Sequence, residues 1–304
     1  MDERTVSIAG RFLALAMVIF VVAALLIVLA GWRGGKGIAR RLWIAYLTEF
    51  GILGAVIVPA YLGTGALFAA VAAICALATA ELYHVLDHTE GPRLASIGVL
   101  GGLAVVASAA IGTEALMLQV LVIGASITLA IGVVARTGVP GVYSGAYTVF
   151  GLVYPSAFGA YLLLLGRAES GFGLIAFLIG VIELNDSAAM LGGLLIGGPK
   201  ICPSLSPNKT IVGSGLGLLA AVGGAAALGF AVPMLALPQV LGGGLLIGIA
   251  GQTGDLVASA IKRSAGVKDF ATCVPGQGGI LDIYDALIFT APWFWLYLRA
   301  IGDV

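Results

Sequence analysis

The stretch from Ser259 to Ile288 reads SAIKRSAGVKDFATCVPGQGGILDIYDALI. It concentrates Lys262, Arg263, Lys268, Asp269, Asp282 and Asp285 around the turn Pro275-Gly276-Gln277-Gly278-Gly279. Charge is scarce elsewhere: 10% of the chain is charged, against about 25% in a soluble domain. Gly254-Asp255 stands a few residues upstream. Asp255, Asp282 and Asp285 are hard oxygen donors of the kind Mg²⁺ takes while keeping waters and substrate phosphates. Lys262 and Arg263 supply cations for phosphate oxygens, and the glycines permit a sharp turn with backbone close to a ligand. A basic loop with some acidic balance is the plainer reading. Carboxylates, cations and glycines gathered in one place favour phosphate–metal chemistry over it.

Two further stretches break the apolar pattern. In CPSLSPNKTIVGSGLG, from Cys202 to Gly217, Ser206-Pro207-Asn208 is a turn signal. Lys209 and Thr210 then stand at the mouth of a glycine-rich helix start, where backbone N–H groups and the helix dipole favour an anion. The run Gly213, Gly215, Gly217 is only superficially like a phosphate loop, since small residues in a membrane helix usually serve packing. ELNDSAAMLGG sets Glu183, Asn185 and Asp186 inside an apolar run. A carboxylate there costs roughly 2.5–3.5 kcal/mol on insertion scales, so it faces a polar cavity or a partner. A functional role is the preferred reading; a structural hydrogen bond to a neighbouring helix stays open.

The elements that position these residues are membrane helices. Sixty per cent of the residues are hydrophobic and the mean hydropathy is +1.11. Apolar runs of about 20 residues, enough to cross a hydrocarbon core, recur along the chain. The expected fold class is all-α, a polytopic transmembrane helical bundle. Its spans fall near 12–32, 43–63, 64–84, 95–111, 115–135, 145–166, 172–197, 211–231, 237–252 and 286–302. The first run is too long for the apolar region of a cleaved signal and is followed by Arg33, so it is expected to stay. One membrane domain over residues 1–304 is expected, with less chemical helices to about 170 and a catalytic half after that. Cys75, Cys202 and Cys273 lack metal-type spacing. A net charge of zero suggests no nucleic-acid partner. Arg33, Lys36, Arg40 and Arg41 place the first loop in the cytoplasm by the positive-inside rule. Alternation puts loops 84–94, 198–210 and 252–285, with Arg136, on the same side.

The long stretch resembles the signature of the phosphatidate cytidylyltransferases, the CDP-diacylglycerol synthases. Ser259, Lys262, Arg263, Lys268, Asp269, Pro275, Gly276, Gly278, Gly279, Asp282 and Asp285 stand at the matching spacings. Gly254-Asp255, Ser206-Pro207-Asn208-Lys209-Thr210 and Asn185-Asp186 look like further elements of the family. The similarity covers roughly residues 180–290, and the whole signature is far more specific than any of its parts. Three positions depart from it. Gln277 stands where the family has histidine, Ile283 where it has arginine, and Ala258 where it has glutamate. Glutamine can hydrogen-bond a phosphate or a ribose but does not titrate near neutral pH as histidine does.

The resemblance implies CTP and phosphatidic acid as substrates, with Mg²⁺ as cofactor, in phospholipid biosynthesis. A phosphatidate oxygen would attack the α-phosphorus of CTP, giving CDP-diacylglycerol and pyrophosphate, by positioning and charge stabilisation more than covalent participation. It further implies Asp255 and Asp282 as metal ligands, with Asp186 and Asp285 as weaker candidates. Lys209, Lys262 and Arg263 would bind phosphates. Ser206, Thr210, Ser259, Lys268 and Gln277 join them on the substrate side, and Gly278-Gly279 would let backbone approach the nucleotide. The expected setting is the cell membrane of a bacterium or archaeon, with the site facing the cytoplasm and membrane lipids around it. Self-association into a homodimer is left open. Two rivals stand: a paralogue acting on another lipid phosphate, such as an isoprenoid ether lipid or a polyprenyl phosphate, and a non-catalytic transporter or scaffold. Against the second, the polar residues gather at one end instead of lining a path across the membrane.

Overall fold

Apolar helices in lipid gain nothing from hydrophobic exclusion, so they associate through close packing and a few polar contacts. The computed structural model describes residues 3–34, 36–87, 95–135, 139–274 and 276–304. Among the described residues eleven α-helices run in order: α1 (Glu3–Gly34), α2 (Lys36–Leu62), α3 (Thr64–Asp87), α4 (Ala95–Ile111), α5 (Glu114–Ala135), α6 (Val139–Gly151), α7 (Phe158–Arg167), α8 (Gly171–Leu195), α9 (Ile211–Leu228), α10 (Leu237–Ser264) and α11 (Ile280–Ile301). A π-helical segment, Leu152–Ala157, joins α6 to α7. Pro155 inside it cannot donate the usual helical hydrogen bond, which suits the wider turn. Among the described residues, six helical stretches are long and apolar enough to cross a membrane. The protein is an all-α polytopic bundle. The side chains of Arg33, Lys36, Arg40 and Arg41, on which the expected orientation rests, lie outside what is described, as do Arg136, residues 88–94 and Pro275.

The centre of the bundle is α8. Its first half is buried almost all round, with Leu174, Ile175, Phe177 and Leu178 at 0% exposure, and it packs against α1, α2, α7, α9, α10 and α11. Phe177 stacks on Phe294 of α11, ring centroids 5.8 Å apart. Outward faces carry Leu100, Val122, Leu194 and Leu219, the exposed apolar surface expected where lipid is the solvent.

Several elements differ from expectation: α1 begins at Glu3 and α2 at Lys36, ahead of the expected 12 and 43. The span expected at 237–252 continues as helix to Ser264, and α11 begins at Ile280, ahead of the expected 286. The expected loop 252–285 therefore shrinks to residues 265–279, and Asp255, Ser259, Lys262 and Arg263 stand on helix α10. Hydropathy falls at Gln252, Thr253 and Asp255, so an apolarity window ends there; packing against α9 and α11 carries the helix on despite the weak propensity of Thr253, Gly254 and Asp255. Between α8 and α9 the chain forms a small antiparallel hairpin, β1 (Lys200–Cys202) and β2 (Ser206–Thr210). The turn falls at residues 203–205, ahead of the expected Ser206-Pro207-Asn208. Pro207 sits in a strand, tolerated because a two-stranded ribbon has only edges.

Candidate active site

On α10, residues 252, 255, 259 and 262 recur at intervals of three and four and so share one face. The same spacing pairs Glu183 with Asp186 on α8 and Asp282 with Asp285 on α11. These three helices meet, and α10 approaches α11 closely at Gly254, where a Cβ would stand 2.7 Å from that of Phe289. An open cleft of about 170 Å³ results, lined by Glu183, Asp186, Asp255, Gln277, Asp282 and Asp285. Ile52, Leu53 and Val56 of α2 supply part of its apolar wall. A larger cleft of about 810 Å³ adjoins it, carrying Lys200, Ser206, Lys209 and Thr210 with the apolar Met190, Leu194 and Ile201. Asp186 and Asp255 line both clefts.

The acids are held in different ways. Asp255 Oδ2 accepts from Lys209 Nζ at 2.5 Å, a pair about 30% exposed on each side. Asp282 is almost enclosed, with 5% of its side chain exposed. Its Oδ1 accepts from Lys262 Nζ at 2.5 Å, and its Oδ2 accepts from the backbone N–H of Phe270 at 2.7 Å and of Gly279 at 2.9 Å. The Lys262 ammonium also lies 5.3 Å from the centre of the Phe270 ring. Asp285 is buried, accepts from the N–H of Ala286 at 2.6 Å, and lines the same cleft as Asp255. Asp186 Oδ1 accepts from Asn185 Nδ2 at 2.8 Å. Asn185, itself 0% exposed, accepts at 2.9 Å from Gln252 Nε2, which also donates to the Ser214 carbonyl at 3.1 Å. The Ser214 hydroxyl closes this chain onto Gln252 Oε1. The acidic stretch on α8 thus divides its work: Asn185 bonds to Gln252 of α10, while Glu183 and Asp186 face the cleft.

The structure does not bring every expected residue to these clefts. Ser259, Lys262, Arg263, Lys268, Gly278 and Gly279 line neither, and Lys262 reaches the acidic cleft only through its pair with Asp282. Arg263 Nη1 donates to the Val267 carbonyl at 2.7 Å, closing the end of α10, and Lys268 is exposed. Thr210 lines the larger cleft, but its hydroxyl caps α9 by accepting from Gly213 N–H at 3.0 Å. Gly276 and Gly278 adopt positive φ in a tight turn whose N–H groups at 277 and 278 both donate to the Val274 carbonyl at 3.1 Å. Two groups absent from the expected set are Glu81 and Gln252. Glu81 is a lone acid within the apolar run of α3, the same signal that drew attention to Asp186.

Hard carboxylate oxygens around one cleft have the donor chemistry that Mg²⁺ prefers. Asp186, Asp255 and Asp285 fit it best, since three donors already hold Asp282. Among the described residues, no three Asp, Glu, His or Cys side chains stand grouped as a metal site.

Fold and site define a polytopic helical membrane protein with an acidic cleft, flanked by two lysines, at one end of its bundle. Residues 43–301 match the model of the cytidylyltransferase family, and the chain belongs to that family. The match reaches well upstream of the expected 180–290 and takes in α3 with Glu81. The uncharacterized protein YnbB of Escherichia coli strain K12 is 42% identical over 154 residues, half of each chain. A phosphatidate cytidylyltransferase of Brucella suis is 41% identical over 157 residues, 48% of this chain and 55% of the relative. One from Staphylococcus aureus strain COL is 42% identical over 120 residues, 39% and 45% of the two chains. The chain thus spans about half the length of the curated relatives it matches.

Proposed function

We propose that this protein transfers the cytidylyl group of CTP to a lipid phosphate, with phosphatidic acid as acceptor. A phosphate oxygen of the acceptor forms a bond to the α-phosphorus of CTP. The bond from that phosphorus to the oxygen bridging to the β-phosphate breaks, and pyrophosphate leaves with the electron pair. The observation that carries this reading is the wall shared by the two clefts at Asp186 and Asp255. One cleft is rich in carboxylates; the other combines Lys200 and Lys209 with apolar side chains suited to an acyl chain. Family membership supplies the reaction class.

Asp186, Asp255 and Asp285 would hold Mg²⁺, which when bound neutralises triphosphate charge. Lys209 orients a phosphate at the junction of the clefts, and Lys262 keeps Asp282 and the first turn of α11 in place. Gln277 offers a neutral hydrogen bond at the acidic cleft. The site end faces the cytoplasm in this reading, where CTP is available. The deciding assay uses purified full-length protein, labelled CTP, Mg²⁺ and a panel of lipid phosphates. CDP-diacylglycerol formed from phosphatidic acid is the expected product. Conversion of a polyprenyl or ether-lipid phosphate alone would reassign the acceptor, and no conversion across the panel would refute the enzyme.

A further inference from the structure

The first N–H groups of a helix have no helical carbonyl to take them, and at the start of α11 two carboxylates fill that need. Asp282 Oδ2 accepts from Gly279 N–H at 2.9 Å. Glu81, reaching across from α3, accepts from Ile280 N–H at 2.9 Å through Oε1 and from Leu281 N–H at 2.8 Å through Oε2. The same Oε1 accepts from the Cys273 thiol at 3.4 Å. Gly279 admits this carboxylate: a Cβ there would lie 2.5 Å from Glu81 Oε2. Negative charge beside a helix N-terminus gains from the dipole as well as from the hydrogen bonds. The amides that the sequence offered to a nucleotide are thus taken by the protein's own acids. Glu81 lines neither cleft, yet the N–H groups it holds, at 280 and 281, fall immediately before Asp282, about one turn before Asp285 and three residues after Gln277.

We propose that Glu81 is a positioning residue for the acidic cleft. Its carboxylate clamps the first turn of α11 to the glycine turn and to α3, and so sets where Asp282, Asp285 and Gln277 stand relative to Asp255. Its consequence for turnover rests on the cytidylyl-transfer reading; the clamp itself does not.

The test uses the full-length protein in proteoliposomes with labelled CTP, Mg²⁺ and phosphatidic acid. Glu81→Gln keeps the shape but leaves one acceptor oxygen where two are used. It should lower kcat on the order of tenfold or more, the scale of losing sub-ångström alignment, and raise KM for CTP while KM for the lipid holds. Partial unfolding would reduce kcat with both KM values unchanged. Gly279→Ala should reproduce the defect by crowding Glu81. Its Cβ would also stand 2.9 Å from Ala271 N, so part of the cost stays when it is added to Glu81→Ala, but several-fold less than in the parent, where the carboxylate is crowded as well. A third arm needs no turnover. The hydrogen bond from its thiol to Glu81 pushes Cys273 up from its ordinary pKa. Thiolate is the reacting form, so in a Cys202→Ser background Glu81→Gln should speed alkylation of Cys273 at a fixed mildly alkaline pH. A Glu81→Gln kcat within about twofold of the parent, or strictly additive effects at 81 and 279, would overturn the proposal. A parent inactive on every lipid phosphate refutes the enzymatic reading instead. The alkylation arm then decides the clamp, faster reaction supporting it and an unchanged rate removing it.

Discussion

The two ends of the bundle both carry charge, but they balance it differently. At the end where α11 finishes, Arg299 pairs with Glu114, whose Oε1 accepts from Tyr161 Oη at 3.0 Å. Arg167 donates to the carbonyls of Ala109, at 2.8 Å, and Gly112 at the close of α4. Each of these charges meets a partner on another helix or a helix terminus, and the result is a clasp among α4, α5, α7 and α11. At the end where α11 begins, Glu183, Asp186, Asp255, Asp282 and Asp285 share one cleft, and Lys209 and Lys262 are the cations paired with two of them. Charge near lipid is costly when uncompensated. A cleft lined by five acids, two of them paired with lysines, makes sense when a cationic ligand enters it.

The sharpest way to break that contrast is topological, because its outcome is all or none. With the native cysteines replaced, Asn208→Cys at the cleft end should be shielded from an impermeant thiol reagent in intact cells. Glu169→Cys, between α7 and α8, should be labelled. The reverse pattern would place the cleft outside, away from CTP.

Within the cleft end, Asp255 and Asp282 should separate. Asp255→Asn should cut turnover on the order of a hundredfold or more, the scale set by loss of a preorganised charge at a reacting centre. It should leave thermal stability near that of the parent, because its lysine partner is partly exposed. Asp282→Ala strips a nearly buried ammonium and two backbone N–H groups of their acceptor, a change of about 3–5 kcal/mol when one member of a buried pair is removed. Thermal unfolding in detergent checks this. Equal stability in the two variants would erase the distinction between a site carboxylate and a structural one. At the clasp end, Arg299→Ala should cost about 1 kcal/mol or less, since the guanidinium is half exposed. It should leave kcat unaltered.

Much of this was readable in advance, because the membrane demands it. Helices α3, α4, α5, α8 and α9 fall within a few residues of where apolarity alone puts them. Glu183 and Asp186 announce themselves by standing in an apolar run, and Asp255, Asp282 and Asp285 by gathering with cations and glycines. What escaped did so for physical reasons. Apolarity measures contact with lipid, so it ended α10 at Gln252, although the helix continues to Ser264 and carries Asp255 and Lys262 on one face. Pro207 looked like a turn because propensity is local, whereas pairing with β1 made it an edge-strand residue. Glu81 and Gly279 lie far apart in the chain, and only the packing of α3 on α11 reveals that the glycine serves the glutamate. Arg263 and Lys268 matched a signature yet line neither cleft: spacing along the chain does not fix direction in space.

The smallest expected effect concerns Gln277, the neutral member of the acidic cleft. Gln277→His would introduce a group that titrates between about pH 5 and 8, and carboxylates nearby favour its charged form. The cation would be present at low pH and lost as pH rises through the new pKa. If glutamine serves only as a neutral hydrogen bond, kcat/KM should stay within about twofold of the parent, with little added pH dependence across that range. If the position calls for a cation, activity should rise clearly below the new pKa and fall back to the parent's level above it. The acidic lining argues for the first outcome. A histidinium at 277 would ion-pair with the cleft carboxylates before it met a phosphate, so its charge would offset theirs. A strong low-pH gain would show instead that the acceptor phosphate comes within reach of residue 277, placing the reacting atoms nearer the glycine turn than the shared wall at Asp186 and Asp255 implies.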